Sequence, residues 1–475
     1  MHVVIVGGGI AGLATAYSIR EGAREAGLPV ECTLVGGATR WGGKVVTARE
    51  RGFVIEGGPD CFITQKPWAL DLCRRLGLED RFVGTNDHRR KVYILWKGKI
   101  HQLPDGVLLI VPTRLRPFAL SPLISPLGKL RMGLDLVVPA RRDEGDESVA
   151  DFVRRRLGNE ALDKIAEPLM GGIHVSDPER QSVLSTFPRF REIERKHGSL
   201  VRGMVAGRHS RPTNGKALPL FMTLRDGLQE IPEALSERLD GTRMLLGRSA
   251  VRLDKEEAGP YRLMLDDGGR LTADAVVLAV PARDAATLVE GLDGNLAAHL
   301  RTLRYVTTAT VSLAYRRDTI SHRLDGFGLL IPSKERRPVT GFTWTSTKFD
   351  HRAPGDSVLL RCFLGGAVDQ SSALLPEDEM VRVARAEVAS LMGITAEPTL
   401  TRVFHWRDAH PQYDVGHQDF VAEVERLQGI HPGLYLTGSS YRGVGLPDCI
   451  HSGTLVAEEV LEKAYPRLSA LPTAN

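Results

Sequence analysis

Residues 2–22 read HVVIVGGGIAGLATAYSIREG, and this stretch decides the fold. A run of strand-forming apolar residues from His2 to Val6 leads into a glycine turn and then into apolar residues at helical spacing. The turn has the pattern GxGxxG, in which missing side chains let backbone N–H groups and the helix dipole approach a pyrophosphate. The alternative, a turn that only connects strand to helix, is disfavoured because position, strand and helix agree. The candidate contacts are Gly7, Gly8, Gly9, Ile10, Ala11 and Gly12.

The second strand, predicted at Val30–Val35, ends without the acidic residue that such a site normally carries. In dinucleotide folds a carboxylate about twenty residues after the glycine turn hydrogen-bonds the adenosine ribose. Here that place is taken by Gly36, followed by Gly37, and Glu31 lies at the opposite end of the strand. We therefore expect ribose contact from water, from the backbone or from Arg40.

A second glycine element, RWGGKV at residues 40–45, follows the second strand. Domains that bind only NAD do not need it. It resembles the second FAD motif of the monoamine oxidase and phytoene desaturase superfamily, and GFVIEGGPD at residues 52–60 resembles the strand and turn beside the flavin. The resemblance implies FAD as the cofactor. It adds the candidate contacts Arg40, Gly42, Gly43, Lys44, Gly57, Gly58, Pro59 and Asp60.

Two further segments resemble FAD-lining parts of that superfamily. In GRSAVRL, residues 247–253, the backbone of Val251 occupies the place that contacts adenine, although a core strand valine is equally consistent with one residue. ADAVVLAVPA, residues 273–282, resembles a strand and turn with Ala279 and Val280 next to the cofactor. Alone, it is also consistent with any buried strand.

The carboxyl-terminal stretch 434–461, LYLTGSSYRGVGLPDCIHSGTLVAEEVL, predicts a strand, a glycine-rich loop and a helix whose amino terminus faces the flavin. YRGVGLPDCIHSG within it resembles the signature of bacterial FAD-dependent porphyrinogen oxidases, as do residues 167–190 and 218–235. The resemblance covers the chain from Val3 to about Glu462, with departures at Gly36 and at His174, where relatives often carry an aromatic residue. The candidate contacts here are Gly438, Val444, Gly445, Leu446 and Ile450.

This resemblance implies an oxygen-dependent FAD oxidoreductase of haem biosynthesis that acts on CH–CH groups. It would convert coproporphyrinogen III, protoporphyrinogen IX or both to the porphyrin in three two-electron steps, with hydrogen peroxide as the second product. No cysteine lies in HWRDAHPQYDVGH, residues 405–417, so non-covalent FAD is expected. Rival hypotheses are an amine oxidase or carotenoid desaturase on the same fold, and a flavin- or tetrapyrrole-binding protein without turnover.

The predicted fold class is α/β: an FAD-binding Rossmann-like domain of the p-hydroxybenzoate hydroxylase and monoamine oxidase type, a mixed-sheet substrate domain and a helical insertion. A polar run at about 195–215 is expected to return the chain to the first domain. The predicted segments are FAD-binding parts at 1–86, 214–290 and 402–475, a hairpin of the substrate domain at 87–104, the insertion at 105–213 and the substrate domain at 291–401.

Composition excludes several classes of protein. The 475 residues carry 62 basic and 58 acidic side chains, a formal charge of +4 that does not indicate nucleic-acid binding. The five cysteines lack the spacing of zinc or iron–sulfur ligands, so no metal and a reducing cytosol are expected. With no secretory leader and no apolar run near the ~18 residues of a spanning helix, membrane contact is expected to be peripheral. The basic, leucine-rich part of the insertion is either a lid or such a surface anchor.

Substrate contacts are the least defined part of the prediction. Lys66 and Lys91 are candidate partners for propionates, and Met170 and Ile173 are candidates for an apolar pocket wall. Solvated surface lysines and ordinary core packing are the alternatives. No residue is assigned as a catalytic acid, base or nucleophile, and the next enzyme of haem synthesis is a candidate recipient of the product.

Overall fold

A computed structural model describes residues 1–108, 110–112, 114–209, 218–256 and 259–466. Its first layer is a five-stranded parallel sheet built from separate parts of the chain. The apolar strand His2–Val6 lies at its centre, with Val3 and Ile5 buried on one face and Val4 and Val6 on the other. A parallel sheet covered on both faces requires such a continuous apolar strand. The strand order is Arg243–Leu246, Glu31–Gly36, His2–Val6, Ala275–Leu278 and Leu434–Leu436.

One face of this sheet is covered by the first helix, Ile10–Glu25, and the last helix, Leu446–Ala464, which pack side by side. Gly453 permits the close approach, because a Cβ there would lie 2.6 Å from the carbonyl oxygen of Ala11. The other face packs on the antiparallel strands Ala250–Lys255, Tyr261–Leu265 and Arg270–Ala273 and on the helices Ala282–Val289, Gly294–Leu300 and His417–Gln428.

The second layer is a seven-stranded mixed sheet. Its one parallel pair joins Gly328–Leu330 to Val92–Trp96, so the hairpin around Lys97 and Gly98 belongs to this sheet. The helix Glu377–Met392 packs on one face. Sheet residues Ala314, Leu359 and Leu400 form a separate apolar cluster with Phe53 and Ile55. The strand order is Leu400–Pro411, Tyr305–Arg316, Ser357–Gly365, Val339–Trp344, Gly328–Leu330, Val92–Trp96 and Lys99–Gln102.

A helical insertion follows the hairpin and has its own apolar core. The helix Leu200–His209 packs into this core through Leu200 and Met204. The polar run at about 195–215, which is expected to return the chain to the first domain, continues into residues 210–217, outside the described residues. Within the described ranges, no helix combines the length and apolar character needed to cross a bilayer. The helices of the insertion are Leu115–Leu120, Pro126–Gly133, Val149–Arg156, Asn159–Ala161, Glu167–His174, Val183–Thr186, Pro188–His197 and Leu200–His209.

Smaller elements connect these parts. The strands Thr47–Glu50 and Phe53–Glu56 form a hairpin, and Phe221–Leu224 lies between Phe62–Ile63 and Phe82–Gly84. A two-stranded ribbon, Val107–Leu108 with Val111–Pro112, precedes the insertion helices. The remaining α-helices are Trp68–Arg75, Glu230–Glu237 and Thr345–Lys348.

Candidate functional site

The glycine turn after the first strand forms a tight backbone cradle. Gly7 has a φ of 122°, and a Cβ on it would lie 2.4 Å from the carbonyl oxygen of Ala279. A Cβ on Gly12 would lie 1.9 Å from the carbonyl oxygen of Gly7. The first helix begins directly after Gly9, and no described side chain caps its N–H groups. Free N–H groups at a helix amino terminus are a ready anion site, as a pyrophosphate requires.

The RWGGKV loop lies against this cradle. The N–H of Gly42 donates to the carbonyl oxygen of Gly8 at 2.8 Å, and a Cβ on Gly43 would come within 3.0 Å of the Cα of Gly9. Arg40 donates to the carbonyl oxygens of Trp41, at 3.2 Å, and Val45, at 2.9 Å. Its guanidinium therefore braces its own loop, and contact of Arg40 with the ribose stays a prediction.

The segments that are expected to contact adenosine lie beyond the second strand. Gly37 faces Ser249, whose Oγ would be 2.5 Å from a Cβ on that glycine, and the N–H of Arg248 donates to the carbonyl oxygen of Gly36 at 3.2 Å. Val251 lies on the adjoining strand and is 43% exposed, an unusual degree for an apolar strand residue. An adenine ring placed over this strand would cover it.

The GGPD turn, residues 57–60, brings the RWGGKV loop and the seven-stranded sheet together. A Cβ on Gly58 would lie 1.8 Å from the carbonyl oxygen of Lys44, so the two backbones touch. The carbonyl oxygen of Gly57 accepts hydrogen bonds from Trp406 Nε1 at 2.8 Å and from Arg361 at 3.0 Å. Pro59, half-buried, fills the turn between these glycines and Asp60. Side chains of the second layer thus hold the turn in place.

Asp60 ends this turn in a buried ion pair with Lys348, at 2.8 Å. Burial alone would raise the pKa of Asp60, but the charges of Lys348 and Arg361 outweigh it and hold that pKa well below its ordinary range. The same attraction raises the pKa of Lys348 against its own burial. Both groups are therefore charged at neutral pH.

The last helix presents its amino terminus to the same space. It begins after Gly445 with no side-chain cap among the described residues, so its N–H groups are also open to a ligand. Gly438 has a φ of 107° and starts the preceding loop, in which Val444 is half-buried. Leu446 and Ile450 are buried in the core, so their side chains set the position of the helix.

Tyr413 fixes the shape of the loop before that helix. Its hydroxyl donates to the carbonyl oxygen of Ser439 and accepts from the N–H of Gly443, both at 2.8 Å. Sequence reasoning missed Tyr413, Trp406, Arg361 and Lys348. The partners of Lys348, Arg361 and Trp406 lie 288, 304 and 349 positions away, and those of Tyr413 lie 26 and 30 positions away. No local sequence pattern indicates such contacts.

Lys44 and His410 lie side by side next to these elements. The ammonium of Lys44 donates to the carbonyl oxygen of Ala409, and burial lowers its pKa. Burial, reinforced by the charge of Lys44, lowers the pKa of His410 to about 4, and its Nε2 lies 2.9 Å from the hydroxyl oxygen of Thr308. At neutral pH the imidazole of His410 is therefore uncharged.

The four predicted substrate contacts lie in different surroundings. Lys66 is half exposed and pairs at 2.7 Å with Asp448, in the first turn of the last helix, and Lys91 pairs at 2.6 Å with Asp325. Met170 has no exposed surface and packs in the core of the insertion, so in this structure it supports the wall and does not line an open pocket. The side chain of Ile173 lies outside the described residues.

The site thus combines two helix amino termini that no described side chain caps with the RWGGKV loop and the GGPD turn, whose backbones lie against one another and against the glycine turn before the first helix. Adenosine, pyrophosphate and flavin require this series of contacts, and the glycines provide the room. The arrangement defines the protein as an FAD-binding oxidoreductase of Rossmann type.

Comparison with known proteins agrees with this class. The chain belongs to the family of flavin containing amine oxidoreductases, whose profile it matches over residues 10–461. Coproporphyrinogen III oxidase of Bacillus subtilis (strain 168) is 36% identical over 97% of this chain and 98% of its own length. Protoporphyrinogen oxidase 1, chloroplastic, of Arabidopsis thaliana is 30% identical over 96% of this chain and 87% of its own length.

Solved structures share the fold over nearly the whole chain. A candidate protoporphyrinogen oxidase from Exiguobacterium sp. 255-15 superposes with a TM-score of 0.86 at 32% identity and covers 97% of this chain and 99% of its own. A putrescine oxidase variant superposes with a TM-score of 0.69 at 18% identity, covering 97% and 99%, which shows the fold alone. The predicted fold class and FAD as cofactor are confirmed.

Proposed function

We propose that this flavoenzyme oxidises a porphyrinogen to the porphyrin in haem biosynthesis, with coproporphyrinogen III as the preferred substrate. The observation that carries the proposal is the full-length similarity to proteins named coproporphyrinogen III oxidase, from Bacillus subtilis at 36% identity and from Staphylococcus aureus at 33%. The signature YRGVGLPDCIHSG, which surrounds the amino terminus of the last helix, supports it. Molecular oxygen as acceptor and hydrogen peroxide as product are part of the proposal.

The cofactor contacts are proposed from the backbone geometry. The amino terminus of the first helix would hold the pyrophosphate, and that of the last helix the flavin end. FAD would supply the acceptor for a hydride, and oxygen would return the reduced flavin to the oxidised state. The proposed contacts are Gly7, Gly8, Gly9, Ile10, Ala11, Gly12, Gly36, Gly37, Arg40, Gly42, Gly43, Lys44, Gly57, Gly58, Pro59, Asp60, Val251, Ala279, Val280, Gly438, Val444, Gly445, Leu446 and Ile450.

The chain's part in the reaction is to orient the substrate and exclude competing chemistry. The face of the seven-stranded sheet that carries Arg361 and Trp406 meets the GGPD turn, so we propose that the macrocycle lies over this face. Lys66 is proposed as a propionate partner that exchanges Asp448 for the substrate carboxylate, because its side chain is 45% exposed and lies at the helix terminus. Lys91 remains a candidate propionate partner, and Ile173 remains a candidate for the apolar wall of the pocket. Pyrrole protons are proposed to leave through solvent.

An aerobic assay tests this function. The FAD-loaded protein is mixed with coproporphyrinogen III or protoporphyrinogen IX, and porphyrin fluorescence is followed together with hydrogen peroxide. The proposal expects faster conversion of coproporphyrinogen III, with about three peroxides per porphyrin from three two-electron steps. Turnover of amines or carotenoids in place of either porphyrinogen would assign the rival oxidase or desaturase activity. Tight FAD binding with no turnover of any of these would assign a binding protein.

We propose in addition that the insertion touches the inner face of the cell membrane. Leu127, Leu130 and Val137 are 79%, 66% and 71% exposed. The two leucines are three residues apart on the helix Pro126–Gly133 and share one face. On the neighbouring helix, Leu120 is 76% exposed four residues after the exposed Arg116, a pairing that suits acidic lipid headgroups.

Vesicle flotation tests this contact. We expect the protein to float with vesicles that contain acidic lipid, and Leu127→Ser with Leu130→Ser to abolish flotation without changing turnover. Equal flotation of the variant would contradict the assignment of this surface. A hand-off of product to the next enzyme of haem synthesis is also proposed, and acceleration of that enzyme beyond its rate with free porphyrin would support it.

A further inference from the structure

A tryptophan occupies the space that a ribose-binding carboxylate would need. Gly36 ends the second strand, the position at which dinucleotide folds carry an acid. A Cβ on Gly36 would lie 2.6 Å from Cζ3 of Trp41, and a Cβ on Gly8 would lie 2.6 Å from Cε3 of the same ring. The indole thus lies against both glycines, and any side chain at position 36 would collide with it.

The indole cannot easily move out of the way. Trp41 is half-buried and packs against the core beneath the first helix. Its backbone is fixed on both sides, since its carbonyl oxygen accepts from Arg40 and the next residue, Gly42, donates to Gly8. Rotation of the ring would therefore expose apolar surface and disturb the loop that lies over the pyrophosphate cradle.

The neighbours of Gly36 supply no replacement acid. Among the described residues, no acidic side chain hydrogen-bonds to the backbone of Gly36 or Gly37. Asp267 lies near this loop but is paired with Arg248 at 2.9 Å. Ser249 is the polar side chain that faces Gly37. The polar group that faces Gly37 within the described ranges is therefore a neutral hydroxyl and not a carboxylate.

We propose that Gly36 and Trp41 form a coupled pair that makes the cofactor site indifferent to the 2′-hydroxyl of the adenosine ribose. The indole fills the volume of the missing acid, and adenine, pyrophosphate and flavin contacts hold FAD without a carboxylate–ribose hydrogen bond. The site then accepts flavin dinucleotides whose ribose hydroxyl is absent. This inference concerns FAD binding and does not depend on the identity of the oxidised substrate.

Binding titrations of the FAD-free protein test the pair. FAD and its 2′-deoxyadenosine analogue are titrated while flavin fluorescence is followed, and the two dissociation constants are compared. For the unchanged protein we expect them to agree within about threefold, because hydrogen bonds to a charged group, which would give about tenfold or more, are missing. Gly36→Glu alone should weaken FAD binding by about tenfold or more, since the new side chain meets the indole.

The double variant Gly36→Glu with Trp41→Leu separates this explanation from simple damage. With the indole removed, the carboxylate has room, and FAD should bind at least about tenfold more tightly than its deoxy analogue. Trp41→Leu alone is the matched control and should keep the two constants similar. Circular dichroism melting of each FAD-free variant identifies any that fail to fold. Discrimination of tenfold or more by the unchanged protein, or equal FAD affinity of the single and double glutamate variants, would overturn the proposal.

Discussion

Lys348→Met removes one partner of the buried ion pair that anchors the GGPD turn. The two side chains are 15% and 17% exposed, and their charged atoms are 2.8 Å apart. Methionine keeps most of the length of the lysine stem but leaves Asp60 in a nearly dry environment. Arg361, which is engaged with the carbonyl oxygens of Gly57 and Gly58, the more distant charge of Arg352 and the thiol of Cys61 then offset that charge in part.

The expected cost follows from the burial. Breaking a buried pair by removing one member typically costs about 3–5 kcal/mol. Because this pair is slightly exposed and Arg361 lies nearby, we expect a loss of about 3 kcal/mol in the free energy of unfolding. In the unchanged protein the pKa of Asp60 is depressed, so its contribution to stability is present above the unfolded value of about 3.9 and is lost as the pH falls below it. Without Lys348 the pKa of Asp60 rises, so the loss of stability in the variant is largest at neutral pH and becomes smaller in acid.

Urea unfolding followed by circular dichroism measures this cost. The matched double variant, Lys348→Met with Asp60→Asn, removes both charges and should recover at least half of the loss, because no unpaired ion remains. The penalty of the single variant should shrink between about pH 7 and pH 4. A single variant within about 1 kcal/mol of the unchanged protein, or a double variant no more stable than the single one, would refute this reasoning.

Three further changes test other parts of the account. Gly12→Ala should abolish FAD retention on gel filtration, because its Cβ would lie 1.9 Å from a backbone oxygen. The control variant Gly294→Ala should retain FAD, because a Cβ there would have no described atom within 4 Å. Burial raises the pKa of Glu56 to about 7, so the free energy of unfolding should fall by about 3 kcal/mol as the pH rises from about 4.3 to about 7. Glu56→Gln should flatten this pH dependence in urea titrations, and an unchanged pH dependence in the variant would contradict the assignment to Glu56. Lys66→Met should raise KM for coproporphyrinogen III about tenfold with FAD affinity unchanged, and an unchanged KM would remove Lys66 from the substrate site.

The backbone part of the cofactor site was predictable because its signals are local. Gly7, Gly9 and Gly12 lie within six positions of one another, between a strand and a helix that both have clear periodicity. The strand His2–Val6 has the predicted bounds, and the second strand is shifted by one residue, to Glu31–Gly36. Strand ends depend on pairing with neighbours, which sequence periodicity does not show.

The side chains that lock the site were not predictable from sequence. Arg361 and Trp406 reach Gly57 from strands about three hundred positions away, and only the packing of the two sheets brings them there. Met170 was considered for the pocket wall because it follows a predicted helix, yet its side chain faces the core of the insertion. Helical periodicity indicates an apolar face but not which neighbour covers it.

Anaerobic mixing of the FAD-loaded protein with coproporphyrinogen III tests the central claim most directly, because it joins cofactor and substrate in one observation. We expect the visible absorbance of oxidised flavin to disappear as porphyrin fluorescence rises, and we expect admission of oxygen to restore the flavin band and release peroxide. Flavin that stays oxidised in the presence of either porphyrinogen, in protein that is fully loaded with FAD, would contradict the claim.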